Sequence, residues 1–273
     1  MSDAVKAALL ERCRQMEIPL VGVADARRWE TPLFEPWIPE PFFPQAIFPE
    51  TRSVIVIGLP VILPALETAP SIWYHDLYLT INALLDQYAY RLAAFLNGMG
   101  YPSVCVPRDG YGGIEVLLDN PVAFFSHRHA AFLAGLGSFG VNNMLLTPKY
   151  GPRVRFSSVL TAAGLPPDPL MADPLCTRCM LCVDACPAGA LDAGDYPDSL
   201  TDKRACSGQS ARLLEQQIAP CGICIKVCPI GADRAHFGRE PADLYRDPGM
   251  RPELHRAWDH VRSYGSRKKR MTR

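Results

Sequence analysis

Four cysteines stand at 176, 179, 182 and 186, and Pro187 follows the last, giving C-x2-C-x2-C-x3-C-P. Cys221, Cys224 and Cys228-Pro229 repeat this as C-x2-C-x3-C-P, with Ile218 where a full copy would begin on cysteine. The first pattern is the bacterial ferredoxin run. Three closely spaced thiolates wrap one [4Fe-4S] cubane through a tight loop, and the fourth reaches a second cubane. Cys206, upstream of the second run, supplies the ligand missing at Ile218. The spacing therefore predicts two clusters: one on Cys176, Cys179, Cys182 and Cys228, the other on Cys186, Cys206, Cys221 and Cys224. Structural zinc sites use C-x2-C pairs rather than two crossing C-x3-C-P tails. Disulfides belong to oxidising compartments, whereas the first six residues lack the basic and apolar regions of an export signal, pointing to the cytoplasm. Clusters that share ligand runs lie close enough for rapid electron transfer. Cys13 and Cys105 fall outside the pattern and read as buried small hydrophobes on a helix and a strand.

The elements that must position these thiols are legible in outline. The chain has 273 residues, 28 Lys+Arg against 28 Asp+Glu, and 48% apolar residues. That composition excludes a mainly disordered protein, and zero formal charge argues against whole-surface attraction to nucleic acid or anionic membrane. No apolar run is long enough to span a bilayer. Residues 4–17 show helical spacing, residues 20–24 a short strand, and residues 53–59 (SVIVIGL) a strand buried on both faces. Between them, residues 31–50 carry six prolines with Phe34, Trp37, Phe42, Phe43 and Phe48, which predicts an extended, packed wrap. A long helix is expected over 75–100, strands at 103–106, 114–118 and 154–162, and a helix over 121–135, with a glycine-rich loop at 107–113. This alternation predicts an α/β or α+β layer domain over residues 1–168. Prolines 166, 167, 169 and 174 mark a boundary. A ferredoxin-like double-cluster domain follows over 169–235, then an extension over 236–273 ending in a basic tail. A ferredoxin does not need so long a leading domain, so the electrons are destined for something that domain holds.

Other chemistry-bearing residues have modest readings. His127 and His129 straddle two helix faces and do not face one partner, which suits surface or local packing. His75 is the better ligand or relay candidate, though it too suits a helix start. Tyr74, Tyr78, Tyr88 and Tyr90 suit packing. Arg153 and Arg155 alternate on a strand and could meet an anionic group or solvent. Gly135, Gly137 and Gly140 satisfy G-x-G-x-x-G, but they follow a helix rather than a strand, which argues against a dinucleotide site.

The stretch from Asp119 to Ala162, with its LLDNPVAF start, AGLGSFGVNNMLL centre and YGPRVRFSSVLT end, resembles the core segment of epoxyqueuosine reductases. The cysteine layout and KRACS at 203–207 are similar too. The resemblance implies a nitroreductase-like α+β corrinoid layer, shared with reductive dehalogenases, joined to a ferredoxin-like module. It implies two [4Fe-4S] clusters feeding a cobalamin, with Asp119 as proton donor. It also implies that Asn142, Leu145 and Phe156 lie along the corrinoid, with Ser207 and Gly222 on its cluster-facing side. The glycines at 135–140 would let backbone approach a flat macrocycle. A low-potential donor such as ferredoxin or flavodoxin and a small-molecule or nucleoside substrate are the implied partners. Gly140-Val141 stands where the family usually has Gly-Lys, and the residues after Cys228 show no match to the helical repeats that grip tRNA. Two other readings accompany this one: a cobalamin-free electron-transfer or activation protein, and a reductive dehalogenase-like enzyme.

Overall fold

The computed structural model describes residues 2–30, 38–109, 113–120 and 122–265. Helix α1 (Ser2–Gln15) buries Val5, Leu9 and Cys13 on one stripe, spaced four apart. Strand β1 (Leu20–Asp25) follows. The proline-rich stretch is less extended than its composition suggests. A 3-10 turn at Glu40–Phe42 and α2 (Pro44–Ile47) both carry proline in their opening positions, where the missing N–H breaks no helical bond. Phe42, Phe43 and Phe48 do pack onto the core; Phe34 and Trp37 lie outside the described residues.

Strand β2 (Ser53–Pro60) is buried along nearly its whole length. Ile55, Ile57 and Leu59 face one core, with Leu9 of α1 and later Leu85, Leu92 and Leu96. Val54 and Val56 face the other, with Trp29 and Phe125. Each such buried side chain stabilises the fold by roughly 1.5–3 kcal/mol over exposure. After α3 (Leu63–Leu66) comes the long helix α4 (Ile72–Gly98). It begins three residues before the expected start because Ser71 Oγ accepts from Tyr74 N at 3.1 Å, a side-chain cap. Strand β3 (Ser103–Val106) leads towards α5 (Ile114–Asp119).

The segment at 114–118 is thus a helix, not the expected strand. Glu115 in its first turn complements the helix N-terminus, and its backbone packs along a later helix rather than a sheet edge. Helix α6 (His127–Leu133) is shorter than expected and is capped by Ser126. A small hairpin follows, β4 (Ser138–Phe139) with β5 (Leu145–Leu146), then β6 (Val154–Thr161). The main sheet runs β1-β2-β6-β3, antiparallel throughout, with Ser53 opposite Thr161 and Pro60 opposite Val154. One face carries α1 and α4, the other α6. Short helices α7 (Leu181–Asp184), α8 (Lys203–Leu214), α9 (Ile223–Val227) and α10 (Asp233–His236) and the longer α11 (Pro252–Gly265) complete the chain. Among the described residues no helix is long and apolar enough to cross a membrane.

Candidate metal centre

Two groups of thiols emerge from these short helices. Cys176 and Cys179 lie on the loop before α7, and Cys182 lies within it. Arg178 and Met180 take left-handed backbone (φ 53° and 58°), which coils that loop tightly. Cys228 ends α9, and its thiol joins Cys176, Cys179 and Cys182 around one small cavity that Val141, Asn142 and Leu146 also line. Burial pushes the Cys182 and Cys228 thiols up to about 11, and the neighbouring Cys179 and Cys176 push Cys182 the same way. The second group comprises Cys186, Cys206 on α8, Cys221, and Cys224 on α9. Burial raises the Cys206 and Cys224 thiols, and the neighbouring Cys221 and Cys186 push both the same way. Cys224 also feels Cys182, so the two groups adjoin. All ten cysteines are free thiols.

Among the described residues no three His, Cys, Asp or Glu side chains close round a single ion. Cubane thiolates each bind a different iron and need not converge on one point. An all-thiol donor set in two groups of four suits two cubanes.

Buried cations surround the thiols. Arg153, just before β6, pairs with Asp233 (Nη2–Oδ1 2.5 Å) and donates from Nη1 to Cys228 O at 3.1 Å. It is therefore neither solvated nor facing an external anion. Arg234 of α10 donates to the same carbonyl at 2.7 Å. Lys226 donates to Ala69 O at 2.8 Å, and burial lowers its ammonium to about 8. On the other side, Arg128 donates to Asn143 O at 2.5 Å. Asn143 Oδ1 in turn accepts from Thr201 N at 2.6 Å, just before the helix that carries Cys206. Arg155 bonds Asn82 and Asp109 and lies over the Tyr78 ring. Sequence reasoning singled out Arg153 and Arg155 but missed Arg128, Lys226 and Arg234. A basic residue a few positions from a cluster Cys-Pro was the available signal for the last two.

The remaining predicted residues are distributed unevenly. Asp119 ends α5, exposed; its backbone carbonyl accepts from Arg204 Nη2 at 3.3 Å, and α5 packs along α8. Ser207, half-buried, follows Cys206, and Gly222 follows Cys221. Gly222 is left-handed (φ 69°), and an added Cβ would meet the Tyr74 ring at 2.6 Å. Asn142 borders the first thiol cavity. Leu145 and Phe156, 1% and 7% exposed, are core side chains in the cluster that includes Leu133 and Leu160. The backbone at Gly135 and Gly137 approaches the carbonyls of Pro169 and Leu146, so those glycines serve packing within the chain. Cys13 is buried as expected, whereas Cys105 is exposed, and Tyr90 is exposed too. His75 Nδ1 donates to Ala219 O at 2.5 Å, tying α4 to the segment before Cys221. His127 lies between Ser158 Oγ and Pro107 O, and His129 between Ser126 Oγ and Tyr196 Oη. Burial pushes the two imidazoles down to about 4 and about 3, so both are neutral at pH 7.

Residues 175–232 match the 4Fe-4S dicluster domain. The tetrachloroethene reductive dehalogenase of Desulfitobacterium hafniense strain Y51 is 30% identical over 193 residues, covering 65% of this chain and 32% of that protein. The epoxyqueuosine reductase of Bacillus anthracis is 30% identical over 135 residues, 47% of this chain and 33% of that protein. A solved reductive dehalogenase, whose structure suggests a mechanism for B12-dependent dehalogenation, superposes with a TM-score of 0.64 at 19% identity. That match covers 96% of this chain and 36% of the other. The chain spans about a third of the length of the curated relatives it matches. It is homologous to both the epoxyqueuosine reductases and the reductive dehalogenases, and residues 175–232 form its 4Fe-4S dicluster domain.

Proposed function

We propose that this protein is an iron–sulfur reductase that relays single electrons through two [4Fe-4S] clusters to a corrinoid, which reduces a small organic or nucleoside substrate. The observation that carries this reading is the grouping of eight thiols into two adjoining sets. On this reading Cys176, Cys179, Cys182 and Cys228 hold one cluster, and Cys186, Cys206, Cys221 and Cys224 the other. On this reading electrons from a low-potential donor such as ferredoxin or flavodoxin enter at the first cluster and leave from the second, beside Ser207 and Gly222. Residues 1–168, the nitroreductase-like layer, then serve as the cofactor and substrate domain, residues 169–235 as the relay, and residues 236–273 as an extension.

A bound corrinoid supplies a strongly reducing cobalt centre. Ser207 and Gly222 border the second thiol set and fit a role in holding it, and Asp119, on the helix packed against α8, fits proton delivery to reduced substrate. Leu145 and Phe156 do not fit, since their side chains belong to the core. The test is anaerobic reconstitution of the full chain with iron, sulfide and cobalamin, followed by optical and paramagnetic resonance spectra. Stoichiometric corrinoid that persists through gel filtration supports the reading. Eight irons with no retained corrinoid would overturn it.

That second outcome would favour an electron-transfer protein serving a partner enzyme. The burial of Leu145 and Phe156 supports this alternative. Turnover of a halogenated aromatic or of an epoxyqueuosine-containing tRNA stem-loop would separate the two enzymatic substrate classes.

A further inference from the structure

Two guanidinium groups converge on one carbonyl beneath the first thiol set. Arg153 Nη1 and Arg234 Nε donate to Cys228 O at 3.1 and 2.7 Å. Arg153 is 0% exposed and Arg234 2%. Their neutralisation is unequal. Asp233 takes two hydrogen bonds from Arg153, at 2.5 and 3.0 Å. The other bonds of Arg234 go to neutral acceptors: the carbonyls of Lys226 and Arg239 and the hydroxyl of Tyr245. Lys226, 7% exposed, adds a third cation, and its ammonium also bonds a carbonyl, that of Ala69. The buried carboxylate nearby, Glu67, already accepts from Arg239 and Tyr245. Among the described residues, the two arginines beneath Cys228 thus share one carboxylate, Asp233.

An uncompensated buried charge is strongly unfavourable, so an excess of this kind persists where an anion offsets it. Four thiolates on a doubly positive cubane make a doubly negative group, and one-electron reduction adds to that charge. Cys228 brings such a group onto the peptide to which both arginines donate. We infer that Arg153 and Arg234 are the built-in counter-charge of the cluster held by Cys176, Cys179, Cys182 and Cys228, and that they raise its reduction potential. The inference rests on the cluster assignment proposed above. Reduction places one electron from a low-potential donor on the cluster, breaks no bond and takes no proton from either arginine, which stays charged throughout. Asp233 acts in the opposite sense by cancelling part of the field. Burial keeps salt from screening the effect.

The test is a dithionite titration of the anaerobically reconstituted full chain, followed by paramagnetic resonance, with iron and sulfide measured in parallel. At the ambient potential that half-reduces this cluster in the wild type, Arg234→Gln should lower the reduced-to-oxidised ratio about tenfold. That corresponds to about 59 mV for a one-electron couple. Asp233→Asn should shift the ratio upward, and Arg234→Lys should restore most of the loss. Opposite shifts in the glutamine and asparagine variants cannot come from loosening alone. Shifts of the same sign, or unchanged potentials at full iron content, overturn the inference. If Arg234→Gln takes up less iron, Asp233→Asn decides alone: an upward shift supports the inference, and no shift or a downward one overturns it. Loss of iron from both variants assigns the arginines a purely structural role and also overturns it. A wild type that takes up no cluster would instead defeat the cluster assignment, so the two failures are distinguishable.

Discussion

Cys206 lies outside both cysteine runs, yet the fold brings it to Cys221 and Cys186. It sits on α8 one turn after Asp202, whose side chain caps that helix through Ala205 N at 2.9 Å, so a rigid short helix presents the thiol to Cys221 and Cys186. Replacing it with serine removes one ligand from the second set alone. Cys206→Ser should therefore cut iron from about eight to about four per chain while leaving the signal of the first cluster. Iron and sulfide assays with paramagnetic resonance check this. Asp119 belongs to the same scale. It is exposed on a six-residue helix and supports no core, so Asp119→Asn should leave iron content and thermal midpoint unchanged. Substrate turnover should fall by about 100-fold or more, the usual contribution of a positioned proton donor. Equal turnover would remove Asp119 from the chemistry. The grouping of the thiols was legible in the sequence because it follows local spacing. Arg234 was not, because its meaning depends on which carbonyl it reaches after folding.

At the scale of elements, periodicity served where one side of the chain faces a core. The run at 53–60 read as a strand because both faces are apolar, and it is the central strand whose alternate residues fill two cores. The run at 114–119 has a similar apolar content, but none of its side chains is buried, so its packing on α8 could not be foreseen from composition. Loop geometry was equally hidden. Gly222 needs positive φ and leaves no room for a Cβ beside the Tyr74 ring. Gly222→Ala should cost about 1 kcal/mol or more through the backbone alone, read as a lower thermal midpoint. Helix α6 carries a pH dependence. His127 and His129 titrate near 6.5 when unfolded but at about 4 and about 3 when folded, because burial disfavours the charged rings. The folded state thus binds fewer protons. The stability these neutral rings contribute is fully present above pH 6.5 and is lost as pH falls from there through about 4 and then about 3. Thermal midpoints measured across this window should fall less steeply in a His129→Gln variant; identical slopes would exclude the mechanism.

For the whole molecule, the distribution of core predicts how it responds to losing its metal. The sheet is enclosed by two extensive apolar clusters, which bring α1 and α4 onto one face and α6 onto the other. The thiol region has a much smaller core, built on Val141, Leu181, Cys182, Leu191 and Val227. Two of its surroundings are themselves conditional: the thiols of Cys182 and Cys228 are pushed up by burial, and the cations beneath Cys228 lack a full complement of carboxylates. A core of that size cannot offset the ordering entropy of its long loops, so the binding free energy of the clusters is largely the folding free energy of this region. It joins the sheet domain at separate points, through Ile225 in the core under α1 and α4, Tyr196 stacked on Phe139, and Arg153 paired with Asp233, so the loops between those points depend on the clusters for their order. Chelating the iron under anaerobic conditions should therefore release amide protection across 175–232 and leave 53–60 and 154–161 protected. Hydrogen exchange read by mass spectrometry before and after chelation separates the outcomes. Uniform loss of protection would mean that the clusters hold the whole molecule together, and retained protection in 175–232 would mean that apolar packing alone sustains the dicluster domain.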